Sequence, residues 1–192
     1  MIDVSPEIRG LIFDCDGTLA DSMPLHLEAW KRALSDFGET YRPEFFAPLG
    51  GMHEEQIVAL YNRRYHLDLD PEELVRRKHV YFKAGIPRVE PIEPVVEVAR
   101  RYDGELPMAV VSGGTAENVA LTLEGLGIRR LFSVILTADD PIAPKPAPDL
   151  FLEAACRINV APSLCQVFED GDLGLEAARR AGMTATDVRE FL

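Results

Sequence analysis

The sequence has few cysteines, few basic residues and no long apolar run. Its three cysteines, Cys15, Cys156 and Cys165, cannot all pair, and their spacing matches neither a zinc ligand set nor a CxxC redox pair. We therefore expect reduced thiols and no disulfide framework. No window holds the about 20 apolar residues that a membrane span requires, and residues 1–10 do not have the pattern of a signal peptide. These absences favour a cytoplasmic protein.

Basic residues are outnumbered, because 20 Lys plus Arg stand against 32 Asp plus Glu and the net charge is −12. Phosphate backbones and acidic headgroups repel such a chain, so we expect neither nucleic acid nor a membrane as a partner. The 47 % hydrophobic and 27 % charged fractions are typical of a globular protein. A length of 192 residues corresponds to one domain plus a smaller piece.

Short apolar runs alternate with helical patterns along most of the chain, which predicts an α/β fold with a parallel sheet. The run at 9–14 is the first predicted strand. Residues 20–85 contain only helical patterns, including a helix that begins after Asp70. We therefore predict a catalytic core of residues 1–19 and 86–192 with a helical insertion at 20–85. Further strands are predicted at 108–112, 133–137, 166–169 and 184–188, and core helices at 93–102, 116–126, 147–158 and 173–181.

Polar residues follow the carboxyl ends of the predicted strands, where open α/β sheets bind their ligands. They form the segments DCDGT (14–18), SGG (112–114), PKP (144–146) and EDGD (169–172). Carboxylates that lie close together repel unless a cation neutralises them, and a set of oxygen ligands favours Mg²⁺. The sequence therefore predicts a metal pocket, with Asp14 and Asp170 as the primary anionic ligands.

The same pocket would carry groups that bind and transfer a phosphoryl group. Lys145 supplies a positive charge, and Ser112 with the backbone of Gly113 supplies hydrogen-bond donors. A covalent mechanism also needs one carboxylate to attack phosphorus and another to handle the proton of the leaving group. Asp14 and Asp16 lie two positions apart, and a turn at Gly17 can bring both into the pocket. Each motif alone has an ordinary structural explanation, but their order at four strand ends favours phosphoryl transfer.

Four segments resemble the motifs of the haloacid dehalogenase superfamily. They read FDCDGTLADS (13–22), VVSGG (110–114), KPAPDLF (145–151) and FEDGDLGLEAARRAGM (168–183). The last two point to the beta-phosphoglucomutase-like subfamily of sugar-phosphate enzymes. The resemblance covers nearly the whole chain. It implies a Rossmann-like parallel-sheet core with an inserted all-helical cap that closes over the substrate.

This resemblance also implies roles for individual residues. Asp14 is the nucleophile that becomes an aspartyl phosphate, and Asp16 is the general acid and base. Two cap residues, His26 and Trp30, match positions that shape closure and substrate fit, although Trp30 is equally expected in the core. The implied Mg²⁺ ligands are Asp14, the backbone carbonyl of Asp16, Asp170 and Glu169, and the implied phosphate ligands are Ser112 and Lys145.

Mutases of this family hold a second phosphate with a cap-loop arginine, and Glu54 stands at that place here. A carboxylate there would repel a distal phosphate, which favours a phosphatase. The overall pattern is most similar to hexose-phosphate phosphatases that act on fructose 1-phosphate and 6-phosphogluconate. We expect a small phosphorylated sugar as the substrate, Mg²⁺ as the cofactor, and a monomer or weak dimer.

Several alternatives remain at this point. A beta-phosphoglucomutase would interconvert hexose 1- and 6-phosphates, and a phospho-receiver module would use a similar acidic pocket without turnover. Dehalogenases lack both the metal and the second aspartate, so Asp16 argues against them. A phosphonatase needs a cap lysine that forms a Schiff base, and Lys31 is the one marginal candidate.

Overall fold

A computed structural model of the chain describes residues 2–46, 49 and 52–192. Five strands form a single sheet within these residues, in the order β3-β2-β1-β4-β5. Every neighbouring pair is parallel, so all the carboxyl ends lie along the same edge. The predicted parallel α/β fold is confirmed. The strands are β1 (Gly10–Phe13), β2 (Met108–Val111), β3 (Val134–Leu136), β4 (Cys165–Glu169) and β5 (Thr184–Asp187).

Strands β1 and β2 are apolar along their length, as expected for strands of a sheet that helices cover on both faces. Leu11 and Phe13 of β1 face one buried cluster, whereas Ile12 faces the other. Phe13 stacks on Phe168 of β4 with ring centroids 4.7 Å apart, which joins two neighbouring strands. The first cluster is completed by α5 (Glu93–Arg101) and α6 (Ala116–Gly125), and the second by α7 (Asp149–Arg157) and α8 (Asp172–Arg180).

The chain between β1 and α5 is helical. It forms a third apolar cluster of its own, in which Trp30, Phe46 and Tyr61 are buried. The helices are α1 (Met23–Asp36), α2 (Pro43–Phe46), α3 (Glu54–Tyr65) and α4 (Pro71–Gly85). We call residues 23–85 the helical segment. Its described residues form helices and no strand, as the sequence pattern predicts, and its division from the core as a separate domain stays a prediction.

Most element boundaries lie within two residues of those predicted. The helix predicted over 147–158 begins at Asp149, because a residue that precedes a proline is driven out of the helical region and Ala147 precedes Pro148. The four-residue helix α2 is too short to produce a periodic pattern and was not predicted. Gly50 and Gly51 of the loop that leads to Glu54 lie outside the described residues.

None of the helices in the described part of the chain combines the length and the apolar character that crossing a bilayer would demand. The cytoplasmic location expected from the sequence stays a prediction.

The start of α4 rests on a side-chain cap. The Asp70 carboxylate accepts hydrogen bonds from the backbone N–H groups of Glu72 at 3.0 Å and Glu73 at 3.3 Å. Since an alanine cannot accept them, we expect Asp70→Ala to lower the free energy of unfolding by about 1 kcal/mol. Urea unfolding followed by circular dichroism measures the change. The control is Asp68→Ala, which removes the same charge from an exposed position two residues away. An equal loss in both variants would contradict the capping role.

Candidate active site

Three adjacent strands end in polar residues that line one cavity. Asp14 follows β1, Ser112 follows β2, and Glu169 is the last residue of β4. The cavity has a volume of about 310 Å³, which lies within the range of small-molecule sites. The edge of the sheet forms one side of it and the helical segment the other. The predicted residues Asp16, Gly113, Lys145 and Asp170 line the same cavity.

Three carboxylates lie together at the floor of this cavity. Asp14, Glu169 and Asp170 each offer an oxygen, and these oxygens lie within 4.8 Å of one another. The Lys145 ammonium donates to Asp14 Oδ1 at 2.6 Å and to Glu169 Oε2 at 2.7 Å. One lysine faces three acids, so the group carries excess negative charge in a buried place. Such a set of hard oxygen ligands fits a divalent cation such as Mg²⁺.

The proton affinities of these residues report the same excess charge. Burial and the neighbouring Glu169 raise the pKa of Asp14 well above its usual value. Burial and Glu169 also raise the pKa of Asp170 to about 6. For Lys145, burial by itself would lower the pKa, but Asp14 and Glu169 outweigh it and the pKa is raised. The group therefore attracts protons, or a cation in their place.

Two glycines allow the carboxylates to come this close. Gly17 has a φ of +86°, and a Cβ on it would collide with the Asp170 carboxylate. A Cβ on Gly174 in the first turn of α8 would collide with Glu169. The Thr18 hydroxyl, which follows the Gly17 turn, donates to Asp170 Oδ1 at 2.9 Å. The turn after β1 thus fits against the loop after β4, and the two acidic motifs meet.

The side chain of Asp16 lies apart from this cluster. It accepts a hydrogen bond from the Ser22 hydroxyl at 2.5 Å. His26 Nε2 lies 3.2 Å from Asp16 Oδ1 but is not aligned for a hydrogen bond. Burial alone would raise the pKa of Asp16, but His26 and Ser22 outweigh it and the pKa is lowered. Asp16 is therefore a carboxylate at rest, and it lines the cavity apart from the three clustered acids.

The phosphate-binding residues predicted from sequence line the same cavity as Asp16. The buried Ser112 hydroxyl accepts from the Gly114 backbone N–H at 3.0 Å, so its own hydrogen is available to another acceptor. Gly113 and Gly114 both line the cavity. Lys145 also donates to the carbonyl of Val111 at 3.1 Å, which holds its ammonium beneath the end of β2.

The helical segment supplies a mainly apolar wall. Trp30 belongs to this wall and to the third apolar cluster, since only 4 % of it is exposed and it stacks on Phe46 at 5.3 Å. Trp30 therefore lies both in the core and in the cavity lining, and its role in substrate fit stays a prediction. Two polar side chains, His26 and Glu54, interrupt the wall within the described residues. The apolar members are Met23, Leu27, Trp30, Phe46, Leu49, Met52 and Ile57.

A buried lysine that the sequence analysis did not single out ties these two polar residues together. Lys78 of α4 has no exposed surface, and it donates to His26 Nδ1 at 2.8 Å and to the Glu54 carboxylate. Because an ammonium only donates, Nδ1 of His26 accepts and Nε2 carries the hydrogen. That N–H is buried beside Asp16 without a hydrogen-bond partner.

A sequence signal for this lysine exists. Leu74, Lys78 and Phe82 recur at i, i+4 and i+8, and all three are buried on one face of α4. A lysine in the middle of an apolar stripe requires an acidic or polar partner, because an unpaired buried ammonium is unstable. The partner Glu54 lies on a different helix, so the pair itself could not be read from this pattern.

Glu54 lies in the cavity wall, as its place in the sequence suggested. Lys78 binds one carboxylate oxygen and His79 binds the other. Burial by itself would raise the pKa of Glu54, but Lys78 and His79 outweigh it and the pKa is lowered. Glu54 is therefore a fixed anion. Lys31, the marginal phosphonatase candidate, is exposed and is not among the described residues that line the cavity.

Arg189 lines the mouth of the cavity and was not predicted. It donates to Asp172 Oδ1 at 2.9 Å and to Asp187 Oδ2 at 2.6 Å. The Asp172 side chain is 86 % exposed, so this acid of the EDGD motif lies beside the carboxylate cluster and not within it. Arg189 reaches the site from the last turn of the chain, where no sequence pattern indicated a functional residue.

Comparison with known proteins gives matches along nearly the entire chain. A family model described as haloacid dehalogenase-like hydrolase matches residues 11–188. Fructose-1-phosphate phosphatase YqaB of Escherichia coli (strain K12) is 40 % identical over 181 residues, which are 94 % of this chain and 96 % of that protein. Beta-phosphoglucomutase of Bacillus subtilis (strain 168) is 25 % identical over 190 residues, which are 94 % of this chain and 83 % of that protein.

A solved structure agrees with these matches. The crystal structure of a hydrolase from Pseudomonas syringae superimposes with a TM-score of 0.81 at 28 % identity, and the match covers 93 % of this chain and 82 % of that one. The family match includes residues of all five strands and the loops that carry the acidic, glycine-rich and lysine motifs. The chain therefore belongs to the haloacid dehalogenase-like hydrolase family, in its beta-phosphoglucomutase-like subfamily.

Proposed function

We propose that the protein is a phosphoric monoester hydrolase that releases phosphate from small sugar phosphates. The observation that carries this proposal is the meeting of a carboxylate cluster, Lys145 and Ser112 at one edge of the sheet, beside a cavity of about 310 Å³. A fructose-1-phosphate phosphatase that is 40 % identical over 94 % of the chain supports the same substrate class.

The cluster of Asp14, Glu169 and Asp170 would hold Mg²⁺, with the backbone carbonyl of Asp16 as the further ligand that the family resemblance implies. The excess negative charge and the raised pKa values of Asp14 and Asp170 support a cation at this place. Bound Mg²⁺ supplies positive charge that neutralises and orients the phosphate.

The residues of the chain divide the chemistry between them. The Asp14 carboxylate attacks phosphorus, the bond from phosphorus to the sugar oxygen breaks, and Asp16 gives that oxygen a proton. Water then attacks the phosphorus of the aspartyl phosphate, Asp16 takes up the water proton, and the Asp14 carboxylate leaves. Asp16 is a carboxylate at rest, so it must gain a proton when substrate binds. The approaching phosphate favours this protonation, because its negative charge near the Asp16 carboxylate raises the pKa of Asp16.

Groups around the two aspartates would hold the substrate. Lys145, Ser112 and the backbone N–H groups at Gly113 and Gly114 would bind the phosphate oxygens. The Nε2–H of His26 is buried without a hydrogen-bond partner and would donate near the leaving oxygen. Residues 20–85 would act as a cap that excludes water from the reaction, over a core of residues 1–19 and 86–192.

A beta-phosphoglucomutase is the second candidate, supported by the relative from Bacillus subtilis. Glu54 argues against it, because a fixed carboxylate in the cavity wall disfavours the second phosphate that a mutase must hold. Conversion of glucose 1-phosphate to glucose 6-phosphate, primed by a bisphosphate and faster than hydrolysis, would establish the mutase. A phospho-receiver module would not require a substrate-sized cavity beside the acids. The expected monomer or weak dimer stays a prediction.

The nucleophile is tested by Asp14→Asn. Because an amide does not attack phosphorus, we expect phosphate release from a panel of hexose phosphates with MgCl₂ to fall at least about a thousandfold. Released inorganic phosphate is measured by a colorimetric assay. Asp21→Asn is the matched control, since it makes the same change at an exposed position in the same segment and should leave activity intact. Persistent turnover by Asp14→Asn would exclude the proposed mechanism.

The cation site is tested by thermal unfolding of Asp170→Asn. The pKa of Asp170 is raised to about 6 in the folded protein. Asp170 therefore contributes most to the stability of the fold below about pH 4, and this contribution is lost as the pH rises through 6. At pH 8 with EDTA, the variant should therefore be more stable than the wild type, by on the order of 1–3 kcal/mol.

Addition of MgCl₂ in the same experiment should raise the melting temperature of the wild type and not that of Asp170→Asn. Asp172→Asn is the control, because Asp172 lies two residues after Asp170 with an exposed side chain and should respond to Mg²⁺ like the wild type. An equal response to Mg²⁺ in all three proteins would contradict the assigned site.

A further inference from the structure

Each cation near the cavity is already held by carboxylates. Among the described residues, the lysine and arginine side chains that line the cavity are those of Lys145 and Arg189. The buried Lys78 side chain lies just behind the wall. Their acidic partners are Asp14 and Glu169 for Lys145, Asp172 and Asp187 for Arg189, and Glu54 for Lys78. A phosphate at the floor would engage Lys145. No unpaired cation then remains, within the described residues, for a second anionic group on the same substrate.

Glu54 is the acidic group on the wall that faces the sheet edge. Lys78 and His79, both on α4, hold its two oxygens from behind, so the carboxylate keeps one orientation. Its side chain is 23 % exposed and lines the cavity. A carboxylate oxygen can accept more than one hydrogen bond, so Glu54 retains capacity to accept from a group inside the cavity.

The surroundings of Glu54 strengthen its effect on a bound molecule. The rest of this wall is apolar apart from His26, and it includes Trp30, Phe46 and Ile57. Charges interact more strongly in such a place than in bulk water. A negative group brought beside the Glu54 carboxylate would lose its hydration and meet a like charge. A hydroxyl would lose less hydration and would gain a hydrogen-bond acceptor.

We infer that Glu54 is a specificity-determining residue that accepts a hydroxyl of an uncharged leaving group and rejects leaving groups with a second negative charge. The inference rests on the proposed phosphatase function and narrows its substrate class to monophosphates of neutral, hydroxyl-rich compounds. It separates the two substrates suggested by the sequence. Fructose 1-phosphate belongs to this class, whereas the carboxylate of 6-phosphogluconate places that compound outside it.

The test compares two substrates that differ only at the far end. Sorbitol 6-phosphate and 6-phosphogluconate have the same open six-carbon chain, with a hydroxymethyl group in the first and a carboxylate in the second. We expect kcat/KM of the wild type, with MgCl₂ at pH 7.5, to favour sorbitol 6-phosphate by on the order of tenfold or more. Equal values, or a preference for 6-phosphogluconate, would overturn the inference without requiring any variant.

Glu54→Gln assigns the selectivity to this residue. Glutamine keeps the size and an accepting oxygen but removes the charge, and it leaves the Lys78 ammonium without its counter-charge. The preference for sorbitol 6-phosphate should therefore fall by on the order of tenfold. Glu55→Gln is the matched control, since Glu55 is exposed on the same turn and should keep the wild-type ratio. An unchanged ratio in folded Glu54→Gln, with folding verified by circular dichroism, would overturn the role of Glu54.

Two further substrates separate the inference from the function on which it rests. Hydrolysis of para-nitrophenyl phosphate with Mg²⁺ tests the phosphatase alone, because its leaving group carries no second charge. If neither this ester nor any sugar phosphate is cleaved, both proposals fail, whereas cleavage without discrimination overturns only the specificity. A tenfold preference for glucosamine 6-phosphate over glucose 6-phosphate would show selection for a cation and would also overturn it.

Discussion

Excess negative charge at the carboxyl edge of the sheet is the constraint on which this site depends. Three carboxylates lie around one lysine, Lys145, and burial together with mutual repulsion raises the pKa values of Asp14 and Asp170. Such an arrangement is unfavourable by itself and becomes favourable when a cation is present. The glycine at position 17 and Gly174 in α8 serve this arrangement directly, because a side chain at either position would force the acids apart.

The opposite wall of the cavity has a different electrostatic balance. Lys78 compensates Glu54 and fixes the tautomer of His26, whose other nitrogen lies beside Asp16. Asp16, the proposed acid and base, lies beside His26 of this wall and apart from the carboxylate cluster at the floor. This asymmetry matches the polarity of a sugar phosphate, which is anionic at one end and hydroxylated at the other. Lys78 lies between Glu54 and His26, and its charge also contributes to the lowered pKa of Asp16.

Much of the fold could be predicted because local patterns and tertiary packing agree there. Strands β1, β2 and β3 consist of apolar residues, so each of them appeared as a continuous run, and the side chains at the ends of β1, β2 and β4 converge because parallel strands end at one edge. The short helix α2 left no periodic signal, and Arg189 lay in a segment without a motif. Lys78 did have a signal, an interrupted apolar stripe on α4, but the stripe does not identify a partner on another helix.

The sequence by itself determined the fold class, the five strands and the residues Asp14, Ser112, Lys145 and Asp170 as one candidate site, since these depend on hydrophobic periodicity and on chain order. Only the tertiary structure decided how charge is distributed within that site. The structure separates Asp16 from the acidic cluster, although Asp16 follows Asp14 closely in the chain. It also joins Glu54 to Lys78 and His79 of α4, which lie 24 and 25 positions further along the chain. The energies of these charge interactions depend on the distances between the groups and on their burial. Both are set when the helical segment packs over the edge of the sheet.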